Sequence, residues 1–139
     1  QELQLTRLTG KAADPKVLAN LKKLQKLHLV GMPFTDLSSL KPLKGLQFFK
    51  LHGTPVKDLG FAAGMRKLEF LDISFTKVDS LTPLKGCKGL KHLYLRNTAV
   101  TDVTPLKPLK SLQGIAVSKK VPAKQIQKLQ KANNKLRVW

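Results

Sequence analysis

The strongest constraint on the fold of this chain is an apolar pattern that recurs every 22 residues. Five segments read apolar-x-x-apolar-x-apolar, and each begins 22 residues after the previous one. The alternation within each segment predicts a short β-strand with one face turned inward. No single copy can bury its inward side chains, so the copies must stack into a solenoid with a continuous core beneath a parallel sheet. The five segments are residues 24–29, 46–51, 68–73, 90–95 and 112–117.

The segments that return from one strand to the next are predicted to be short and irregular. Proline occurs in several of them and disfavours long helices, so 3₁₀ turns or extended stretches are expected. An oxygen-bearing side chain stands just before the apolar residue that opens each return, which is typical of a helix N-cap. The prolines are Pro42, Pro83, Pro105 and Pro108, and the predicted caps are Asp36, Asp58, Ser80 and Asp102.

Both ends of the chain depart from the repeat, as capping units of a solenoid do. Leu3 and Leu5 predict an early strand, and Asp14-Pro15 predicts the start of a helical segment, with Asp14 as N-cap. Near the other end Pro122 opens a predicted helix, and residues 136–138 repeat the strand pattern once more, which places Lys135 beside Gly114. We therefore expect about seven strands and a helical segment at each end. These atypical ends favour a complete solenoid.

The consensus L-x-x-L-x-L-x-x-T-x-V-x-D-L-x-x-L resembles the 22-residue class of leucine-rich repeats, found in internalins and in phosphatase regulatory subunits. The resemblance covers nearly the whole chain. It implies the α/β class: a leucine-rich-repeat solenoid with a curved parallel β-sheet of about seven short strands and short 3₁₀ or irregular returns. We predict a single domain, residues 1–139, with an N-terminal cap at 1–23, four 22-residue repeats at 24–111, and the last repeat and C-terminal cap at 112–139.

One position departs from this family pattern. The usual asparagine ladder is replaced by one methionine and three threonines. A threonine side chain makes part of the asparagine network, so looser turns are expected. The residues are Met32, Thr54, Thr76 and Thr98.

Strand alternation exposes three positions per copy on the hollow side of the sheet, here called the concave face. All three histidines, the single Tyr, the single Trp and two of the six Phe fall on it. Aromatic and Arg side chains in such a groove are typical binding hot spots. The structural alternative is that aromatic residues suit strands and pair across them. We favour binding, because exposed Phe pairs are not needed for solubility. The predicted partner-binding residues are His28, Phe48, Lys50, His52, Phe70, Asp72, His92, Tyr94 and Arg96.

The charge of the chain is strongly positive, with 26 basic against 8 acidic residues and a net charge of +18. Such a field attracts acidic proteins and polyanions. A possible polyanion-binding stripe off the sheet recurs with the same period. Duplication of one Leu-Lys template, together with the need for a solvated face, also explains the stripe and is the interpretation we favour. The stripe residues are Lys22, Lys44, Arg66, Lys88 and Lys110.

The sequence argues against catalysis. Cys87 matches core positions of the other repeats, so it is expected to be a buried apolar residue rather than a nucleophile. Asp72 is expected to pair with Lys50, its neighbour in the sheet, rather than act as a general base. Phosphate-binding, dinucleotide-binding and nucleophile-elbow motifs are absent from the sequence. We expect no enzymatic activity, no cofactor and no metal site.

The leading hypothesis is a protein-protein interaction module that recognises an acidic protein on its concave face. The alternative is a polyanion binder for nucleic acid, anionic glycan or a lipid surface, and a structural spacer comes third. The sequence contains no run of 18 or more apolar residues, so no membrane span is predicted. We expect a monomer. No leader is visible, and a chain starting at Gln1 is compatible with a processed exported protein or an excised part of a longer one. The compartment stays open.

Overall fold

The computed structural model describes residues 1–6 and 14–139. Within these residues, seven parallel strands form one sheet in which chain order and spatial order coincide. Each strand therefore pairs with the strand of the next repeat, as the 22-residue period predicts. The strands are β1 Glu2–Thr6, β2 Lys26–Val30, β3 Phe48–Lys50, β4 Phe70–Asp72, β5 His92–Tyr94, β6 Gly114–Ala116 and β7 Arg137–Val138.

In the described part of the chain the returns are 3₁₀ helices, and one α-helix lies near the C-terminal end. The Asp14 carboxylate caps the first helix by accepting the Lys16 N–H at 2.9 Å, and Pro15 follows at its first position. Residues 7–13 of the predicted N-terminal cap lie outside the described residues. The 3₁₀ helices are Pro15–Asn20, Ser38–Leu40, Gly60–Ala62, Thr82–Gly86 and Thr104–Leu106, and α1 is Ala123–Ala132.

The residues predicted as N-caps of the returns lie one residue before the caps that the structure shows. Asp36 precedes the cap residue Leu37, and its carboxylate accepts the Ser38 N–H at 2.7 Å. Asp102 makes the same turn with the Thr104 N–H at 2.9 Å. The cap residue itself is apolar because its side chain is needed in the core. The carboxylates therefore close turns that lead into the helices.

The core lies between the sheet and the returns and runs through all the repeats. The inward strand side chains, such as Leu27, Phe49 and Leu71, are fully buried, which confirms the predicted alternation. Burial of one such side chain contributes about 1.5–3 kcal/mol to folding. Phe61, from a return, packs edge-on against Phe49 with ring centroids 5.6 Å apart.

The threonines at the ladder position bond within their own repeat. Thr54, Thr76 and Thr98 are buried, and each hydroxyl donates to the carbonyl three residues earlier at 2.7–2.9 Å. Their hydrogen bonds tighten the turn after each strand. Met32 fills the first ladder position and is fully buried.

Candidate functional site

The strand register arranges the concave face in columns that run across the sheet. The first column passes through Lys26, Phe48, Phe70 and His92. The second column contains His28, Lys50, Asp72 and Tyr94. The third lies just beyond the strands, at His52, Ser74 and Arg96. All nine residues predicted for partner binding therefore lie on this one face.

Five aromatic rings form a continuous line across the concave face, here called the aromatic row. The rings of Phe48 and Phe70 stack with centroids 4.1 Å apart and an interplanar angle of 2°. His28 stacks on Phe48 at 4.9 Å, and Tyr94 lies 5.3 Å from Phe70. Trp139 stacks parallel to Tyr94 at 6.1 Å. The row crosses the sheet from β2 to β7.

The rings of the row lie outside the hydrophobic core. Phe48, Phe70 and Tyr94 are half-buried, whereas the inward residues between them are fully buried. Offset or stacked aromatic pairs contribute about 0.5–1.5 kcal/mol beyond the area that they bury. Mutual stacking therefore holds the rings in fixed positions while part of each ring stays open to solvent.

The register of the last strand differs from the prediction. The pattern predicts Lys135 beside Gly114, but Arg137 is its partner in β7. Helix α1 precedes β7 and interrupts the 22-residue period, so counting from the earlier repeats misplaces this strand. Trp139 consequently lies nearer the middle of the concave face. A Cβ atom at Gly114 would overlap the Trp139 ring, so this approach requires glycine.

Asp72 is the most enclosed charged residue of the concave face. The expected pairing with Lys50 is wrong: the Asp72 carboxylate lies 3.5 Å from the Nδ1 atom of His52. Its other oxygen accepts the Ser74 N–H at 2.9 Å. This backbone bond orients the carboxylate toward the third column, whereas Lys50 is its neighbour within the second column. The Asp72–His52 pair is therefore a fixed polar group beside the row.

The remaining predicted residues differ in accessibility. His92 is half-buried, and within the described ranges its Nδ1 atom is buried without a hydrogen-bond partner. Gly114 lies directly beside it, near the Trp139 ring. Arg96 is exposed at the end of its column. Arg96 is thus the more accessible of the two for a partner.

Phe75 belongs to the same surface and was missed by the sequence reasoning. It follows the third column at the end of β4, and 53% of its surface is exposed. Its ring centroid lies 4.9 Å from that of His52. A signal was present in the sequence: Phe75 occupies the repeat position that holds Gly31, Gly53 and Asn97 elsewhere.

Comparison with known proteins identifies this architecture. No family model matches the chain, and no curated protein matches it. Among solved structures, internalin C2 from Listeria monocytogenes is 26% identical with a TM-score of 0.81, over 90% of this chain and 54% of that one. The leucine-rich-repeat protein LIC12759 from Leptospira interrogans is 23% identical with a TM-score of 0.76, over 99% of this chain and 36% of that one. The chain has the leucine-rich-repeat fold.

A second internalin from L. monocytogenes (inlF) shows the same fold, with 20% identity and a TM-score of 0.67 over 99% of this chain and 46% of that one. The leucine-rich-repeat protein described here thus spans about half the length of the two internalins. The similarity confirms the predicted solenoid of parallel strands and short returns.

The acidic residues of the leucine-rich-repeat protein are all engaged within the chain. Four close the turns before helices, and Asp72 pairs with His52. Glu2 contacts Lys26 and His28, and the remaining pairs are Lys91–Glu69 at 2.8 Å and Lys57–Asp79 at 3.2 Å. Among the described residues, three lysines have a carboxylate partner. Most of the positive charge is therefore available to other molecules.

The repeated basic residues Lys22, Lys44, Arg66, Lys88 and Lys110 are here called the lysine stripe. The stripe lies at the opposite edge of the sheet from Phe75, where each return leads into the next strand. Its five members are exposed, and each backbone N–H donates to the carbonyl two residues earlier, so they occupy equivalent turns. The Lys44 ammonium donates to the Ala63 carbonyl at 2.7 Å, and that of Lys110 donates to the Ala132 carbonyl at 2.9 Å. Two members of the stripe thus link neighbouring parts of the solenoid.

Cys87 is a core residue, as predicted. Burial raises the pKa of its thiol to about 11, and the thiol donates to the Ala62 carbonyl at 3.3 Å. The described ranges contain no group of three His, Cys, Asp or Glu side chains arranged to hold a metal ion. They also contain no helix with the length and apolar character needed to span a bilayer.

Proposed function

We propose that the protein is a non-catalytic interaction module that binds another protein, one with an acidic surface, on its concave face. The observation that carries this proposal is the aromatic row, which crosses the sheet from β2 to β7 with its rings stacked and partly open. Large aromatic side chains held rigidly lose little entropy on binding, which is why they dominate protein interfaces.

The charge balance supports an acidic partner. The carboxylates are engaged within the chain, while Lys50 and Arg96 border the row without an ion pair among the described residues. Complementary charge on a partner would speed encounter and orient it on the face. A rim of positive charge around an apolar centre matches the usual anatomy of an interface.

A non-catalytic role is proposed on chemical grounds. The cysteine is buried with a raised thiol pKa, and the thiolate is the reactive form. The Asp72–His52 pair has no hydroxyl or thiol nucleophile hydrogen-bonded to the imidazole among the described residues. We propose that Asp72 positions His52, and through it the neighbouring Phe75, for recognition.

The proposal is tested by capture from extracts of the source organism. The variant Phe48→Ala/Phe70→Ala removes the centre of the row and leaves the charge unchanged. Loss of two hot-spot residues is expected to weaken binding by more than about 30-fold. A partner that is retained equally by the wild type and this variant would refute recognition by the row.

A matched variant tests the polyanion alternative. Lys22→Gln/Arg66→Gln/Lys88→Gln removes charge from the stripe without touching the two lysines that bond to carbonyls. Binding to a polyanion falls steeply with salt, because it depends on release of counterions. Capture that survives this triple change and moderate salt supports the concave face, whereas capture that depends on the triple change and not on the row supports the polyanion.

A further inference from the structure

Phe75 adopts a left-handed backbone conformation, which glycine and asparagine accommodate more easily than phenylalanine does. Its φ angle is 58°, and the equivalent positions Gly31, Gly53 and Asn97 have φ angles of 64°, 72° and 52°. Glycine has no Cβ atom and asparagine tolerates the left-handed region, so three of these four residues suit the turn. A bulky side chain at such an angle is an outlier that calls for an explanation.

The repeat itself imposes this conformation. The Phe75 N–H donates to the Arg96 carbonyl at 2.8 Å, just as the Gly53 N–H donates to the Ser74 carbonyl at 3.0 Å. These bonds continue the pairing between neighbouring repeats beyond the ends of the strands, and the left-handed turn then directs the chain into the return. The aromatic side chain has therefore been placed on a turn whose geometry is set without it.

The ring contributes little to the core. Phe75 is 53% exposed, lies outside the hydrophobic core and, among the residues that the structure describes, has one aromatic contact, with His52. The His52 ring in turn contacts Asp72, whose carboxylate lies 3.5 Å from its Nδ1 atom. Backbone strain without a matching structural gain is characteristic of a residue retained for recognition.

The surroundings of Phe75 indicate the chemistry of its partner. Arg96 is exposed and has no ion-pair partner in the described part of the chain. Each copy of the protein carries a net charge of +18, so a second copy would be repelled. The Phe75 N–H donates to the Arg96 carbonyl, so the two residues lie on neighbouring repeats at the same rim of the face. An aromatic side chain and an unpaired guanidinium at one rim suit an apolar side chain that is flanked by a carboxylate.

We infer that Phe75, with His52 and Arg96, forms a subsite at the rim of the concave face for an apolar side chain next to acidic residues in a protein partner. This inference rests on the proposed function, and it adds the identity of the anchor and the sequence character of the segment bound. Phe75 reaches beyond the row at the end of the strands, so the bound segment would cross this edge of the sheet.

The test is a selection of short random peptides displayed on phage, carried out in parallel on the wild type and on Phe75→Asn. Selected peptides are then synthesised and titrated against both proteins and against Val17→Ser, which removes an apolar residue that is 61% exposed outside the concave face. We expect the wild type to enrich peptides with an apolar residue beside Asp or Glu. Phe75→Asn is expected to bind them at least about tenfold more weakly, and Val17→Ser to bind them unchanged.

Equal enrichment on the two proteins, enrichment of peptides without acidic residues, or no enrichment on the wild type would overturn the inference. Titration of Phe48→Ala/Phe70→Ala separates it from the proposed function. Loss of binding in this row variant together with retention in Phe75→Asn refutes the rim subsite alone. Loss in Phe75→Asn together with retention in the row variant supports the subsite and refutes recognition by the row.

Discussion

Replacing Phe75 by asparagine is expected to make the protein more stable, although it removes a large aromatic side chain. Asn97 occupies the equivalent turn one repeat later with nearly the same φ angle, 52° against 58°. The substitution thus installs a residue that the same turn already accepts. The reciprocal change, Asn97→Phe, places a bulky side chain on the left-handed turn that asparagine occupies in the native protein.

The size of the effect follows from two opposing contributions. A left-handed backbone costs a bulky residue about 1–2 kcal/mol, and asparagine escapes much of this cost. Loss of the Phe75–His52 contact removes about 0.5–1 kcal/mol, because the ring is half-exposed and the two rings are tilted at 45°. The net gain in the free energy of unfolding is about 0.5–1 kcal/mol for Phe75→Asn. For a chain of this size it corresponds to a rise in Tm of about 2–4 °C.

The assay is thermal unfolding followed by circular dichroism, with urea titration as a second measure of the free energy. Asn97→Phe should lower Tm by about 3–8 °C, because it adds strain without a histidine partner like that of Phe75. A lower Tm for Phe75→Asn would contradict this expectation, because the packing of the ring would then stabilise the fold by more than its strained backbone costs. Unchanged stability in both exchanges would show that this turn does not discriminate between the two residues.

Three further outcomes are expected. Cys87 is buried with a thiol pKa of about 11, so a thiol reagent at pH 8 should modify it at the rate of unfolding, and rapid labelling of the folded protein would contradict this. Hydrogen bonds from Ser38 and Thr104 hold the pKa of Asp36 and of Asp102 below the ordinary value of an aspartate. Both carboxylates therefore stabilise the fold at pH values above that ordinary value and lose this effect as the pH falls through their folded pKa values. Asp36→Asn/Asp102→Asn should thus weaken the loss of stability on the acid side of a stability–pH profile, and an unchanged acid side would contradict the assignment. Phe48→Ala/Phe70→Ala should lower the free energy of unfolding by about 1–2 kcal/mol in a urea titration, less than the 3–5 kcal/mol typical of one buried Phe, and a larger loss would place these rings in the core.

The solenoid could be predicted from the sequence because one rule repeats. Period-two alternation at Leu27, Phe49 and Leu71 determines which side chains face inward, and the 22-residue spacing determines which strands are neighbours. The register of β7 could not be obtained in this way. Helix α1 separates it from the periodic part, and the length of that segment is not set by the repeat.

The concave face was predicted as a set of positions, but not the contacts within it. The sequence places Asp72 beside Lys50 in one column, and the columns do not show that the Ser74 N–H orients the carboxylate toward His52. Rotamers and backbone hydrogen bonds decide such choices, and a pattern of residue types contains neither. The stacking of the rings in the row depends on the same details.

Phe75 could have been found by reading the repeat differently. The prediction followed the apolar columns and the strand positions, whereas Phe75 belongs to a column of turn residues. A column of Gly, Gly and Asn indicates a left-handed backbone, and a Phe within it is inconsistent with the local rule. Such inconsistencies are expected at functional sites, where local preference and fold disagree.

Recognition by the concave face is tested by carbene footprinting of the protein alone and in complex with the partner that the wild type captures. We expect protection of Phe48, Phe70 and Tyr94 in the complex, with labelling unchanged at Val17 and along the lysine stripe. Protection along the stripe, with the aromatic row labelled as in the free protein, would contradict recognition by the concave face.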